Sequence, residues 1–430
     1  MCYESFCCKY ANRLCVESSL LNSASTIAKP GPVGVGTAEI LYVIGTLDVG
    51  GTERHLASVA TALSNRGWSV SVYSLAGRGL LGDEMARSGV NVVVPPIEHV
   101  ANRASWRRSV RLVVAMVHLF SVLVRRRPAI VHFFLPEAYL IGAPLAILAC
   151  SRKRVMSRRS LNVYQNKHPA MALVERLLHR AMAAVLGNSR SVVDQLRLQE
   201  QVSMSRLGLI YNGVELGPYQ TGAREATRRA LSIADGMLVL VIVANLIPYK
   251  GHIDLMDALS IASSRLPGNW RLLIVGRDDG IGPAVTARAA ALGIGSRISL
   301  LGQRNDVAAI LQASDIGLLC SHEEGFSNAI IEGMAAGLPM IVTDVGGNSE
   351  AVVDGKTGLV VPSHDPQQLA NAIARLAGDP ALRARMSSAA QQRVGEHFSA
   401  ERCLAAYEAL YRELLAGGRP SSVAQIQVVD

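Results

Sequence analysis

Two glutamates eight positions apart carry the clearest chemistry in this chain: Glu324 and Glu332, in Glu324-Gly325-Phe326-Ser327-Asn328-Ala329-Ile330-Ile331-Glu332. Ser327 suits an N-cap, and Asn328 through Ala336 predict a helix that stops at Gly337. The first backbone N–H groups of a helix have no internal partner, and its dipole favours an anion there. A phosphate group therefore fits against Ser327–Ala329. Glu332 lies more than one turn inside, and helical side chains tilt toward the N-terminus, so its carboxylate leans back over the same spot. Like charge keeps it off the phosphate itself and suits it to nearby hydroxyls, such as those of a ribose. Glu324 precedes the helix and can accept from a second set of hydroxyls. Either glutamate alone reads as a solvated charge. Together on one loop-to-helix junction, followed by a buried strand and the turn Gly346-Gly347, they describe a pocket that is anion-binding at one end and hydroxyl-binding at the other.

Other residues extend that pocket. Lys250-Gly251 follows the apolar run Leu238–Ala244, and a lysine at a strand's carboxyl end can neutralise a departing diphosphate. Gly50-Gly51 sits between a strand and a helix, where glycine lets the backbone approach a phosphate. Glu53 beside it lies where carboxylates are favoured on helical grounds alone. The dinucleotide fingerprint Gly-x-Gly-x-x-Gly is missing after the first strand: Gly34-Val35-Gly36 comes before it, which excludes a nicotinamide site. No Asp-x-Asp cluster is present, so no metal and no cofactor are expected. The seven cysteines (Cys2, Cys7, Cys8, Cys15, Cys150, Cys320 and Cys403) show no zinc spacing and read as reduced cytosolic thiols.

The elements that position these residues alternate between two kinds. Ile40–Gly45, Val70–Leu75, Val90–Val94, Ile130–Phe134, Val155–Ser157, Ala184–Ser189 and Leu209–Val214 read as strands or strand tips. Leu56, Val59, Ala60 and Leu63 recur at helical spacing, and Met171–Met182 predicts a further helix. Leu238–Ala244, Arg271–Val275, Ile298–Gly302, Ile316–Cys320, Ile341–Thr343 and Leu359–Val361 repeat the logic, with helices near Val307–Ala313 and over Pro366–Ala377. Such alternation predicts parallel, doubly wound α/β sheets, which bind ligands beyond the carboxyl ends of their strands. At 430 residues the chain calls for two domains. The expected division is a flexible leader over 1–38, a first domain over 39–215, a second over 216–400, a helix over 401–416 and a tail over 417–430. The linker is expected within 215–236.

Charge is uneven. The net charge is +9, and residues 101–160 hold twelve Lys/Arg against one acid, Glu137. The run Val110–Val124 carries Arg111 and His118 and falls short of the roughly eighteen clean apolar residues of a spanning helix. With Arg107, Arg108 and Arg125–Arg127 at its ends, residues 103–127 suit the surface of an anionic membrane. No reading module or array of stacking aromatics supports nucleic acid as the partner.

The Glu324–Glu332 stretch resembles the Glu–seven-residue–Glu motif of the family 4 retaining glycosyltransferases, and Phe326 and Gly346-Gly347 also match that pattern. The resemblance implies the GT-B fold: two Rossmann-like domains facing across a cleft, with a nucleotide-diphospho-sugar donor held mainly by the second. It implies that Glu324 contacts the transferred sugar and Glu332 the ribose. It also implies that the Gly50-Gly51 loop faces the diphosphate and that Lys250 balances it. Gly325, Phe326, Ser327, Asn328 and Ala329 would line the donor. Arg277 and the Gln303–Asp306 turn would lie near the base and sugar. The first domain would hold a glycan or lipid-linked acceptor, in a protein that is cytoplasmic or peripheral on the inner membrane face. Two positions depart from the pattern. Asn245 stands where many members have an arginine that partners the lysine. Arg158, in Val155-Met156-Ser157-Arg158-Arg159, is nearest to where many have a histidine. An arginine is no base at neutral pH, so Arg158 is expected to hold an anionic acceptor or the leaving phosphate. His132 and Asn188 follow strands in the same region, His132 reading as a satisfied core residue. A nucleotide-sugar epimerase and a non-catalytic nucleotide-sugar sensor remain alternatives; the first would need no acceptor, and the second would bind donor without turnover.

Overall fold

Parallel strands covered on both faces need near-continuous apolar runs. Most of the thirteen strands are such runs among the described residues, which in this computed structural model are 38–48, 50–96, 105–162, 165 and 169–420. Most of the leader, residues 103–104 of the basic stretch and 421–430 of the tail lie outside them.

The first sheet contains β1 (Glu39–Ile44), β2 (Ser69–Ser74), β3 (Asn91–Val93), β4 (Ile130–Phe134), β5 (Arg154–Arg158), β6 (Ala184–Gly187) and β7 (Leu207–Leu209). Its order is β3-β2-β1-β4-β5-β6-β7, with every neighbouring pair parallel. Its helices are α1 (Gly51–Asn65), α2 (Gly79–Arg87), α3 (Ser105–Arg126), α4 (Pro136–Leu148), α5 (Pro169–His179) and α6 (Arg190–Leu198). The second sheet contains β8 (Leu238–Val243), β9 (Trp270–Val275), β10 (Ile298–Gly302), β11 (Ile316–Leu319), β12 (Met340–Thr343) and β13 (Gly358–Val361). Its order is β10-β9-β8-β11-β12-β13, again all parallel. Its helices are α7 (Arg224–Ala230), α8 (His252–Ala262), α9 (Gly282–Ala291), α10 (Val307–Gln312), α11 (Asn328–Ala335), α12 (Asn348–Ala351), α13 (Pro366–Gly378) and α14 (Pro380–His397). A last helix, α15 (Ala400–Leu415), follows.

Strand order reverses between β1 and β4 in one sheet and between β8 and β11 in the other. Loops leaving the two strands at such a reversal diverge and open a crevice at their carboxyl ends. Gly50 lies in the loop after β1, Lys250 in the loop after β8 and Glu324 in the loop after β11. The topology therefore delivers these residues to the two crevices.

Both sheets lie within one compact unit, Gly36–Asp430. The backbone passes between the lobes twice, side by side: Val214 N donates to Phe398 O and Ala400 N to Val214 O, each at 2.9 Å. The helix α15 then returns to the first lobe. Tyr411 Oη lies 2.7 Å from Tyr42 Oη and 2.8 Å from His132 Nδ1, and Trp68 Nε1 donates to Glu408 at 2.9 Å. Residues 401–416 are thus packed on the first sheet, and the expected linker 215–236 is itself structured, containing α7.

Candidate active site

Two loops of the second lobe meet at the crevice. Gly251 has φ +69°, and a Cβ there would fall 1.9 Å from the Cys320 carbonyl oxygen, so only glycine lets the Lys250 loop lie against the end of β11. His322 N donates to Tyr249 O at 2.7 Å and ties the two loops together. Lys250 Nζ then donates to Glu324 Oε1 at 2.5 Å, and Ser321 Oγ to the same oxygen at 2.7 Å. Both charged side chains are largely shielded, with 16% and 11% of their surface exposed. Behind them, Gly347 N donates to Gly325 O at 2.8 Å. Gly346 has φ +54°, and a Cβ there would sit 1.9 Å from the Glu324 carbonyl oxygen. The Gly346-Gly347 turn is therefore a clamp on the Glu324-Gly325 backbone.

Two helix N-termini face each other beside this pair. Ser327 is in the N-cap position of α11, but its hydroxyl makes no capping bond, and Gly50 at the N-cap of α1 has no side chain to offer. Asn328 Nδ2 donates to Gly51 O at 3.2 Å, which brings the two helix starts together across the lobes. Asn328 Oδ1 accepts from Asn212 Nδ2 at 2.6 Å, and Asn212 Oδ1 accepts from the buried Arg159 at 2.6 Å. A second strut comes from Glu350, whose carboxylate accepts from Arg190 N at 2.8 Å and Ser191 N at 3.0 Å, capping α6 of the opposite lobe. An anion between the starts of α1 and α11 would meet the positive ends of both dipoles, with Lys250 supplying a full charge.

Residues 49–217 match Glycosyltransferase Family 4, and residues 223–393 match Glycosyl transferases group 1. The chain belongs to the family 4 glycosyltransferases of GT-B fold. A D-inositol 3-phosphate glycosyltransferase of Corynebacterium glutamicum (strain R) is 26% identical over 400 residues, covering 86% of this chain and 94% of that protein. One from Saccharomonospora viridis is 31% identical over 245 residues, covering 55% of this chain and 57% of the relative. Among solved structures, Anabaena HepE in complex with UDP-glucose superposes with a TM-score of 0.75 at 21% identity, covering 88% of this chain and 99% of that one.

Within this glycosyltransferase, Glu332 is half-buried, and burial pushes its carboxyl above the usual range, partly offset by the charge of Arg54 on α1. Burial likewise raises Glu53, whose carboxylate folds over Gly50. Phe326 is buried and gives its carbonyl to Asn212 Nδ2 at 3.1 Å. Asn245 is turned to its own lobe: its Oδ1 accepts from Arg277 N at 3.2 Å. Arg277 pairs with Asp279 and Arg304 with Asp306, both at 2.6 Å on the surface.

Arg158 requires a correction. It is 1% exposed and does not line the cleft: its guanidinium lies 2.5 Å from Glu175 and 3.1 Å from Glu200, both fully buried. Successive side chains at a strand point to opposite faces. One residue further on, Arg159 has the opposite orientation, reaching Asn212 and the charge fields of Glu53 and His55. His132 is a core residue, bonded to Tyr411 and, at 2.8 Å, to Ser157 Oγ. Burial lowers its pKa to about 3, so it is neutral at physiological pH. Asn188 is buried, with its Nδ2 3.4 Å from the Arg159 carbonyl. Arg159, Asn212, Arg54 and Glu350 are the residues that motif reasoning missed. For Arg159 the alternation along β5 was the available signal.

Proposed function

We propose that the protein transfers a sugar, with retention of configuration, from a nucleotide-diphospho-sugar to an acceptor hydroxyl, without a metal at the diphosphate. The Lys250–Glu324 pair beside two facing helix N-termini carries this reading. The diphosphate takes Lys250 and the N–H groups of Ser327–Ala329. Glu324, relieved of its lysine, accepts from hydroxyls of the donor sugar, and Glu332 from those of the ribose. Fixed positive charge where the leaving group develops negative charge is usually the largest catalytic term. The bond from the anomeric carbon to the diphosphate oxygen breaks, the acceptor oxygen bonds to the same face, and the acceptor proton passes to the departing phosphate.

The acceptor is proposed to be lipid-linked. On α3, Val110, Val113, Val117, Phe120 and Val124 form an exposed apolar stripe at alternating three- and four-residue spacing, opposite the buried Ala115, Leu119 and Val122. Arg125 and Arg126 follow it. The neighbouring α4 and α5 add exposed Leu148, Leu173 and Leu177. No described helix is long and apolar enough to cross a membrane. The apolar stripe and the arginines at its end support contact with an anionic surface, which would set the cleft beside a membrane-borne glycan. A second reading, a free phosphorylated polyol as acceptor, is favoured by the naming of the relatives. Incubation with donor plus either membrane lipid extract or inositol phosphate distinguishes them, with the product anomer read by NMR. Inversion of configuration would overturn the retaining reading, and transfer to the polyol alone would overturn the lipid-linked one.

A further inference from the structure

Outside the Lys250–Glu324 pair, three side chains of the second lobe converge on one point. His322 Nε2 lies 2.9 Å from Asp254 Oδ2, and His364 Nδ1 lies 4.0 Å from the same oxygen. The two imidazoles are stacked, with centroids 3.7 Å apart. His364 has φ +58°, a backbone region rarely used by residues with a side chain. One ligand atom from each residue falls within 4.8 Å of the others. The geometry points to a site for a borderline transition-metal ion, Zn²⁺ foremost, held by Asp254, His322 and His364.

A tetrahedral Zn²⁺ with bonds of about 2.0–2.1 Å holds its ligand atoms roughly 3.3 Å apart, and the 2.9 and 4.0 Å separations bracket that spacing. Two imidazoles and one carboxylate suit zinc, cobalt or nickel and not magnesium or calcium, which prefer oxygen ligands. His364 is exposed, which leaves an entry path and an open coordination position. A second cluster, Glu175, His179 and Glu200, also has its donor atoms within 4.8 Å, but there the Arg158 guanidinium already occupies the cation's place. Among the described residues, no arginine or lysine forms an ion pair with Asp254, whose carboxylate pairs only with the two imidazoles. Because His322 N also donates to Tyr249 O, a bound ion would brace the loops that carry Lys250 and Glu324.

The test strips the full-length protein with a chelator, reloads it with Zn²⁺ or Co²⁺ alone and counts bound metal after gel filtration. Four cysteines within residues 1–37 are potential competitors, so the Co²⁺ spectrum is recorded as well, since thiolate ligation adds intense sulfur-to-metal charge transfer. The expected result is one ion per chain without that band, and a loss of affinity of at least ~10-fold in both His364→Gln and Asp254→Asn. His364→Gln should melt like the wild type when both are metal-free. No binding by the wild type, or undiminished binding in both variants, would overturn the site.

Discussion

Replacing Arg158 with methionine removes a buried charge and keeps a side chain of comparable reach. Its guanidinium lies 2.5 Å from Glu175 and 3.1 Å from Glu200, and the three side chains are 1%, 0% and 1% exposed. The variant leaves two buried carboxylates without their cation. Breaking a buried pair in this way costs about 3–5 kcal/mol. At ~2–4 °C per kcal/mol for a lobe of this size, the melting temperature should fall by roughly 6–20 °C. Arg158→Lys keeps the charge but not the planar fork and should lie between. Acid sensitivity should also change. Burial pushes the Glu200 carboxyl up, but the His179 hydrogen bond and the Arg158 charge outweigh it and hold its pKa below the usual value. A lowered folded-state pKa gives stability that is present above the unfolded value and lost as pH falls through the folded one. Without Arg158 the folded pKa rises, so the variant should be less stable at neutral pH and lose less of its stability as pH falls. Scanning calorimetry across pH, beside donor turnover measured well below the transition, tests both points. A normal melting temperature with strongly reduced turnover would refute the structural role and return Arg158 to the cleft.

Three further outcomes follow from the site. Gly346→Ala forces φ +54° on a residue whose Cβ would meet the Glu324 carbonyl, so donor turnover should fall ~10–100-fold while circular dichroism stays native; unchanged turnover would dismiss the clamp. Glu332→Gln should raise the melting temperature at pH 7 and raise the donor KM roughly tenfold. Burial lifts the folded pKa of Glu332, so stability falls as pH rises from the unfolded value through the folded one, and the amide removes that cost; equal melting curves for both proteins from pH 4 to 7 would contradict it. Val113→Glu with Val117→Glu should abolish most sedimentation with anionic vesicles and leave turnover of soluble donor intact; undiminished sedimentation would move the membrane contact elsewhere.

The sheets were legible because most of their parallel strands are apolar runs, and Ile130–Phe134 and Ile298–Gly302 end where the sequence predicts. Helices with weaker periodicity were not: the Ala-rich α9 and the charged α14 escaped, although Asp379-Pro380 is a start signal for α14. The Glu324–Glu332 spacing and Lys250-Gly251 pointed to loops that the fold joins through one ion pair. What a linear reading could not supply was the long-range part. The return of α15 to the first lobe depends on Tyr411 meeting Tyr42 and His132, residues more than 270 positions away. The cleft contact Arg159–Asn212–Asn328–Gly51 likewise depends on Arg159 and Asn212, which carry no motif, meeting two residues that do. Arg158 was misplaced by a single residue, because facing in a strand alternates and the strand's last residue decides which arginine meets the cleft.

The most direct test of the central claim is turnover of UDP-, GDP- and ADP-sugars by the wild type beside Lys250→Ala and Glu324→Gln. The account predicts that one class of donor is consumed, by transfer or slow hydrolysis, and that both variants lose this activity while remaining folded. Consumption that persists undiminished in both variants would contradict it, as would binding of a donor that is never turned over even with membrane lipid extract supplied.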